Sequence, residues 1–207
     1  MRELLARLPG PAALRDRCRG IAMLEAILGP DWVDRYYSFN ARWSEGEEMA
    51  SMRDGQGDDW FMVFSAAGVY ARGFDHAAPN AGARLLAEVP PAFRSCVTEP
   101  AFGEEDGVPL ATVCFWREPG DAAWRAPSAG PTGGVGLFGL LAAEDPAEAY
   151  REWAEEYYEL EDGLDPSAIA HVLALRPLTD AVVSALNPDL TLAIVADDVA
   201  EIGYPAS

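Results

Sequence analysis

Glu48-Met49-Ala50-Ser51-Met52-Arg53, then Asp54-Gly55-Gln56-Gly57-Asp58, then Trp60-Phe61-Met62-Val63-Phe64: two β-rich runs flank a turn of aspartate and glycine. Met49, Ser51 and Arg53 alternate with Ala50 and Met52, and Trp60, Met62 and Phe64 alternate with Phe61 and Val63, which gives each run two faces. Aspartate and glycine supply the backbone conformations that a hairpin tip needs. Upstream, Tyr36-Tyr37-Ser38-Phe39-Asn40 reads as a preceding strand. Downstream, Ser65-Ala66-Ala67-Gly68 turns into Val69–Phe74, and Leu110–Arg117 supplies a last strand after a short helix over Ala83–Val89. The pattern is an antiparallel meander sheet of about four to five strands.

Helical signals lie on either side. In residues 11–28, Leu14, Cys18, Ile21, Leu24 or Glu25, and Leu28 fall near helical spacing before Gly29-Pro30. Asp145-Pro146-Ala147-Glu148 carries a capping aspartate, a first-turn proline and a glutamate, ahead of an apolar face of Tyr150, Trp153, Ala154 and Tyr157. Asp165-Pro166, Thr179-Asp180 and Asn187-Pro188 are expected to open three more short helices, the last burying Leu192, Val195, Val199 and Ile202. The expected class is α+β: an N-terminal helix, an antiparallel sheet and a helical C-terminal third. Residues 1–125 hold the helix and sheet, 126–144 form a Gly/Pro-rich connector, and 145–207 form a helical segment packed on the sheet as one domain.

Composition excludes several chemistries. All 15 basic residues among the 207 are arginine, against 34 acids, for a net charge of -19. Lysine-dependent mechanisms (Schiff bases, P-loop phosphate gripping, a pyridoxal anchor) are therefore unavailable. A pI near 4.3 opposes nucleic acid and anionic membranes and favours a basic protein partner. Five arginines against two acids give residues 1–20 a net of +3, read as a helix face pairing with acids elsewhere. The charged start, Met1–Arg7, lacks a signal peptide's apolar centre, and no apolar run reaches the roughly 20 residues of a membrane span. Cys18, Cys96 and Cys114 are odd in number and outside any CxxC, which points to reduced thiols and a cytoplasmic setting. The lysine-free, Ala/Arg/Gly/Pro-rich usage looks like high-GC bacterial coding.

Four features bear on chemistry. Gly134-Val135-Gly136-Leu137-Phe138-Gly139 matches GxGxxG, but the Pro/Gly-rich run before it cannot be the parallel strand that a dinucleotide site requires, and no cofactor is expected. Asp54, Asp58 and Asp59 crowd one loop and are candidate metal ligands, without EF-hand spacing; no resident metal is expected. Asp75 and His76, a carboxylate and an imidazole at a strand end, are the candidate catalytic pair. Glu148, Glu152, Glu155, Glu156 and Glu159 recur at three- and four-residue steps, an acidic helix face expected to meet a partner.

The tract from Tyr36 to His76 resembles a family of uncharacterised bacterial proteins with a similar YYSFN, W-x-x-GE-x-MASMR-x-G-x-GD and GF-x-H series. It covers about a fifth of the chain, and the closing Glu201-Ile202-Gly203-Tyr204-Pro205 is similar too. The family carries no activity to transfer. Where it has polar residues after the histidine, this chain has Ala77-Ala78-Pro79. A fainter similarity, of fold alone, is to SUKH-type immunity proteins, which implies a toxin-neutralising role. Three functions follow as expectations: an acidic, non-enzymatic cytoplasmic protein that binds a protein partner; a small hydrolase or lyase using Asp75 and His76 with Asn40 and Arg42; or a structural or regulatory module of a larger assembly.

Overall fold

The computed structural model describes residues 1–205. Helix α1 (Arg2–Arg7) and the long α2 (Pro11–Leu28) lead into four consecutive strands: β1 (Tyr37–Ser44), β2 (Glu47–Arg53), β3 (Asp59–Ser65) and β4 (Gly68–Phe74). The chain then forms short helices α3 (Gly82–Leu85) and α4 (Arg94–Val97) and a small hairpin of β5 (Glu104–Glu105) and β6 (Val108–Pro109). Strand β7 (Val113–Arg117) follows. Helices α5 (Pro146–Tyr157), α6 (Pro166–Leu173), α7 (Asp180–Leu186) and α8 (Ala196–Ile202) complete an α+β protein. Among the described residues no helix is long and apolar enough to cross a membrane.

The main sheet runs β1-β2-β3-β4-β7, antiparallel throughout. Register follows the alternation in the sequence. Met52, Trp60, Met62, Phe64 and Phe115 face a layer made by α2 and the C-terminal helices. Met49, Phe61, Val63, Tyr70 and Trp116 face a second layer formed by residues 82–111. Both faces are covered, which explains why β3 is buried from Trp60 to Phe64. The second layer is held by a buried cation. Arg72 on β4 is only 1% exposed and donates to the carbonyls of Val97, Phe102 and Gly103, with its guanidinium 5.2 Å from the Phe102 ring centroid.

Helix α2 is buried continuously from Gly20 to Ile27. A Cβ at Gly20 would lie 3.1 Å from the Leu173 backbone, and the glycine thus allows α6 to cross closely. Of the N-terminal arginines, Arg19 and Arg15 pair with Glu48, at 2.6 and 3.7 Å, as expected of a face that meets acids elsewhere, whereas Arg17 donates to the carbonyls of Leu141 and Ala143 and Arg7 reaches only Glu3. Residues 126–144 pack against the core, burying Phe138, Leu141 and Ala142, while the Leu137 carbonyl accepts from Trp60 Nε1 at 3.0 Å.

Several boundaries differ from expectation. Helix α1 has no signal that set it apart in a charged heptapeptide. The last strand begins at Val113 instead of Leu110. Asp145, Asp165 and Thr179 cap their helices as expected, whereas Asn187-Pro188 opens none. The Asn187 amide instead donates to the Ile27 carbonyl at the end of α2, its Oδ1 accepts from the Asp189 amide, and α8 starts only at Ala196. Leu192 and Val199 are half-buried.

Because Phe61 and Phe64 lie on opposite faces and are 2% and 6% exposed, truncating either leaves a cavity. Phe61→Ala and Phe64→Ala should each cost about 3–5 kcal/mol in urea melts. A loss under about 0.5 kcal/mol for either would contradict a sheet covered on both faces.

Candidate functional site

The Asp-Gly turn after β2 is built by its own side chains. Asp54 Oδ1 accepts from the backbone amides of Gln56, Gly57 and Asp58, at 2.8, 3.0 and 2.9 Å. Gly57 has a φ of 116°, and a Cβ there would come within 3.2 Å of the His76 Cβ. Asp58 Oδ1 takes both the His76 backbone N–H (2.9 Å) and the His76 ring Nδ1 (2.7 Å). The partner of His76 is therefore Asp58, not the adjacent Asp75. Asp75 serves the next corner, accepting from the amides of Ala77 and Gly134 at 3.0 Å each. The first GxGxxG glycine enters here: Gly134 has a φ of 74°, and a Cβ there would come within 2.9 Å of Thr112 Oγ1 and 3.4 Å of Asp75 Cβ, whereas one at Gly136 would meet nothing within 4 Å. The segment continues as a 3-10 turn over Val135–Phe138 without a preceding strand.

The candidate metal ligands separate. Among the described residues, the one group of three potential ligands lying together is Asp58, Asp75 and His76, whose ligand atoms fall within 4.8 Å. Asp54 spends Oδ1 on the turn. Asp59 points to the second face near Arg53 and Arg72, where burial pushes its carboxyl up to about 6. In the Asp58–Asp75–His76 group both oxygens of Asp75 already accept backbone N–H bonds, and Asp58 Oδ1 accepts two more, which is the pattern of a loop latch. Asn40 and Arg42 do not join this corner. Asn40 lies across two intervening strands and level with Tyr70, and its Oδ1 accepts from the Arg42 amide at a strand irregularity. The three cysteines are buried, and burial pushes the thiols of Cys18 and Cys114 up to about 12 and Cys96 to about 11. None of them is poised to be a thiolate near neutrality.

On α5 the acidic face divides. Arg151 bonds Glu148 (2.6 and 2.9 Å) and Glu155 (2.8 and 2.9 Å), and Glu155 also accepts from the Leu164 amide. Glu159 lies past the helix end at φ 53°. Glu152, Glu156 and Glu159 are exposed. The expected apolar face also divides: Tyr150 and Ala154 are buried, Trp153 is half-buried and Tyr157 is 41% exposed.

That exposure marks the surface the sequence did not single out. Tyr36 stands between two adjoining grooves. One, of about 210 Å³, lies between Trp32 and Val33 and the sheet residues Ser38, Ser51 and Arg53. The other, of about 470 Å³, is lined by Tyr36, Asp54, Gln56, Trp153, Glu156 and Tyr157. Trp32 (56%), Val33 (82%) and Tyr157 (41%) are three of the four large exposed hydrophobics among the described residues. Beneath Tyr36 lies the buried carboxylate of Glu25, 0% exposed. The backbone amides of Tyr36 and Tyr37 donate to its Oε2 (2.9 and 3.2 Å), and Tyr158 OH adds a third bond there (3.1 Å). Tyr150 OH donates to Oε1 (2.7 Å). The available signal was a glutamate sharing an apolar helix stripe. The fold and this surface define an acidic α+β protein with a three-layer arrangement and an aromatic-acidic groove. Compared with family models, curated proteins and solved structures, the chain matches none of them.

Two outcomes follow. Glu25→Ala should cost about 3 kcal/mol or more, since it orphans buried donors, while Glu25→Gln should lose only about 1–2 kcal/mol; equal, negligible losses in urea melts would contradict the network. The His76 ring should titrate above its usual value because of the Asp58 hydrogen bond and charge, and fall back toward about 6.5 in Asp58→Asn, as followed by NMR. With the folded pKa raised, the pair's stabilisation is fully present below the unfolded value and lost as pH rises through the folded one. A pH-independent difference between wild type and Asp58→Asn would contradict the pairing.

Proposed function

We propose that the chain is a non-enzymatic cytoplasmic protein that binds a basic protein partner through the acidic and aromatic surface around Tyr36 and Tyr157. One observation carries the reading: Trp32, Val33 and Tyr157 are exposed on the rims of adjoining grooves, one of which is also lined by the carboxylates of Asp54 and Glu156. Large apolar side chains on a rim of charge characterise contact surfaces. Three buried, unpaired thiols suit a reducing compartment. The similarity to SUKH-type immunity proteins gives the proposal its most concrete form, sequestration of a basic toxin. A hydrolase or lyase built on Asp75 and His76 draws less support, because both side chains are engaged in holding loops. The acidic face of α5 enters the proposal in reduced form, through Glu152, Glu156 and Glu159, since Glu148 and Glu155 are bound by Arg151.

Capture from the native host, followed by reconstitution with the purified partner, tests this directly. Wild-type protein should retain a basic partner whose association slows steeply between about 50 and 500 mM salt. Glu152→Arg combined with Glu156→Arg should abolish capture while leaving the melting curve nearly unchanged. Undiminished capture by that variant would sink the proposal.

A further inference from the structure

We infer that the groove formed by Tyr36, Trp153 and Tyr157 is a recognition pocket for one arginine side chain of the basic partner. The inference rests on the reading above and names what the surface grips. Trp153 and Tyr157, one turn apart on α5, lie nearly parallel at 14° with centroids 5.1 Å apart. Tyr36 meets them at steep angles, 5.1 Å from Trp153 and 5.2 Å from Tyr157. Three electron-rich rings thus gather at one opening, and Asp54 and Glu156 line the same groove. Such a combination of ring faces and carboxylates favours a cation.

The charge around the rings points the same way. After burial, the negative charges of Asp54 and Asp58 push the Tyr36 phenol up, and those of Glu25, Asp34 and Asp54 do so at Tyr157. No arginine of this chain is among the residues lining this groove, and those nearby have other contacts. Arg35 bonds Asp198 and the carbonyls of Gly29 and Pro30; Arg53 lies over the Phe61 ring; Arg151 is closed between Glu148 and Glu155. A volume of about 470 Å³ takes a long side chain with part of an extended segment, rather than a bare ion. Guanidinium is the better fit of the two biological cations: it is planar, weakly hydrated, stacks on aromatic faces and can bond a carboxylate with two N–H groups.

The probes are acetylated, amidated tetrapeptides of arginine, lysine and citrulline, titrated calorimetrically into the full chain at about 50 mM salt. The arginine peptide should bind, with lysine several-fold weaker and the isosteric but uncharged citrulline at least about tenfold weaker. Tyr157→Leu and Glu156→Gln should each weaken arginine binding about three- to thirtyfold. Tyr157→Phe, which keeps the ring, should bind more tightly than Tyr157→Leu, and Glu105→Gln on the opposite layer should bind as wild type. If Glu105→Gln and Glu156→Gln weaken binding equally and Tyr157→Leu has no effect, the attraction is diffuse; the pocket is then wrong while partner binding by the acidic surface stands. Lysine binding as tightly as arginine overturns the guanidinium assignment. No binding of the arginine peptide overturns the pocket, and partner capture by the double charge reversal then decides the broader reading by itself.

Discussion

A single buried carboxylate sets the geometry of the α2 side of the molecule. Glu25 sits within a helix whose neighbouring residues are all buried, where an unpaired charge would be prohibitive. It is tolerated because four donors converge on it, two from the backbone entering β1 and two phenols from α5 and its C-cap. The two backbone N–H groups can only donate, so Oε2 is an acceptor in either protonation state, while the two phenols can donate or accept. Burial pushes Glu25 up and the four hydrogen bonds pull it back, with burial the larger effect. The carboxylate therefore fixes α5 against the first strand as well as α2 against both. Tyr36 inherits its position from this junction: its own amide is one of the four donors, and its ring emerges beside Trp153 and Tyr157.

The opposite layer uses the inverse device. Arg72 is the buried cation there, and its partners are backbone carbonyls at the end of α4 (Val97) and at the end of the short 3-10 turn that follows (Phe102 and Gly103). A planar fork of donors can gather several carbonyls of a loop at once. The nearest acid, Asp59, sits at the sheet edge of this network; Arg53 and Arg72 pull its carboxyl down, yet burial prevails. Each face of the sheet thus carries one buried charge that fastens its covering layer through directional bonds, in addition to the apolar contacts that fill the layer.

How much of this was legible depended on the kind of signal. Alternation in Met49–Arg53 and Trp60–Phe64 assigns faces to β2 and β3 correctly, because a period of two survives burial on both sides. The Asp145 and Asp165 caps are local, and local chemistry reads well from sequence. Asn187-Pro188 fails because the same side chain that can start a helix can also close one, and Ile27, 160 residues away, decides which. His76 was paired with the wrong acid for a related reason: Asp75 is adjacent in sequence, but Asp58 is adjacent in space through the β3–β4 register. Tyr157 sits at core spacing on α5 and still emerges, 41% exposed, where its ring lines the groove with Tyr36 and Trp153. The Asp-Gly turn between β2 and β3 is legible in another sense. Asp54, Gly57, Asp58 and His76 are each accounted for by hydrogen bonds or close contacts that shape the turn.

That turn also links folding to the surface. The residues that lock it, Asp54 and Asp58 through His76, place Asp54 and Gln56 on the groove beside Tyr36. The same economy governs charge. With no lysine, the basic residues are planar donors, and the structure spends many of them inward: Arg17 and Arg72 on carbonyls, Arg19 on Glu48, Arg35 on Asp198, Arg151 on two glutamates. Each acid paired in this way leaves the overall surplus to the acids that have no such cation, Glu152 and Glu156 among them. The net charge itself is set by composition. The local balance at the aromatic opening is set by placement: Asp54 and Glu156 line that groove, while Arg151, on the same helix as Glu156, is closed between Glu148 and Glu155.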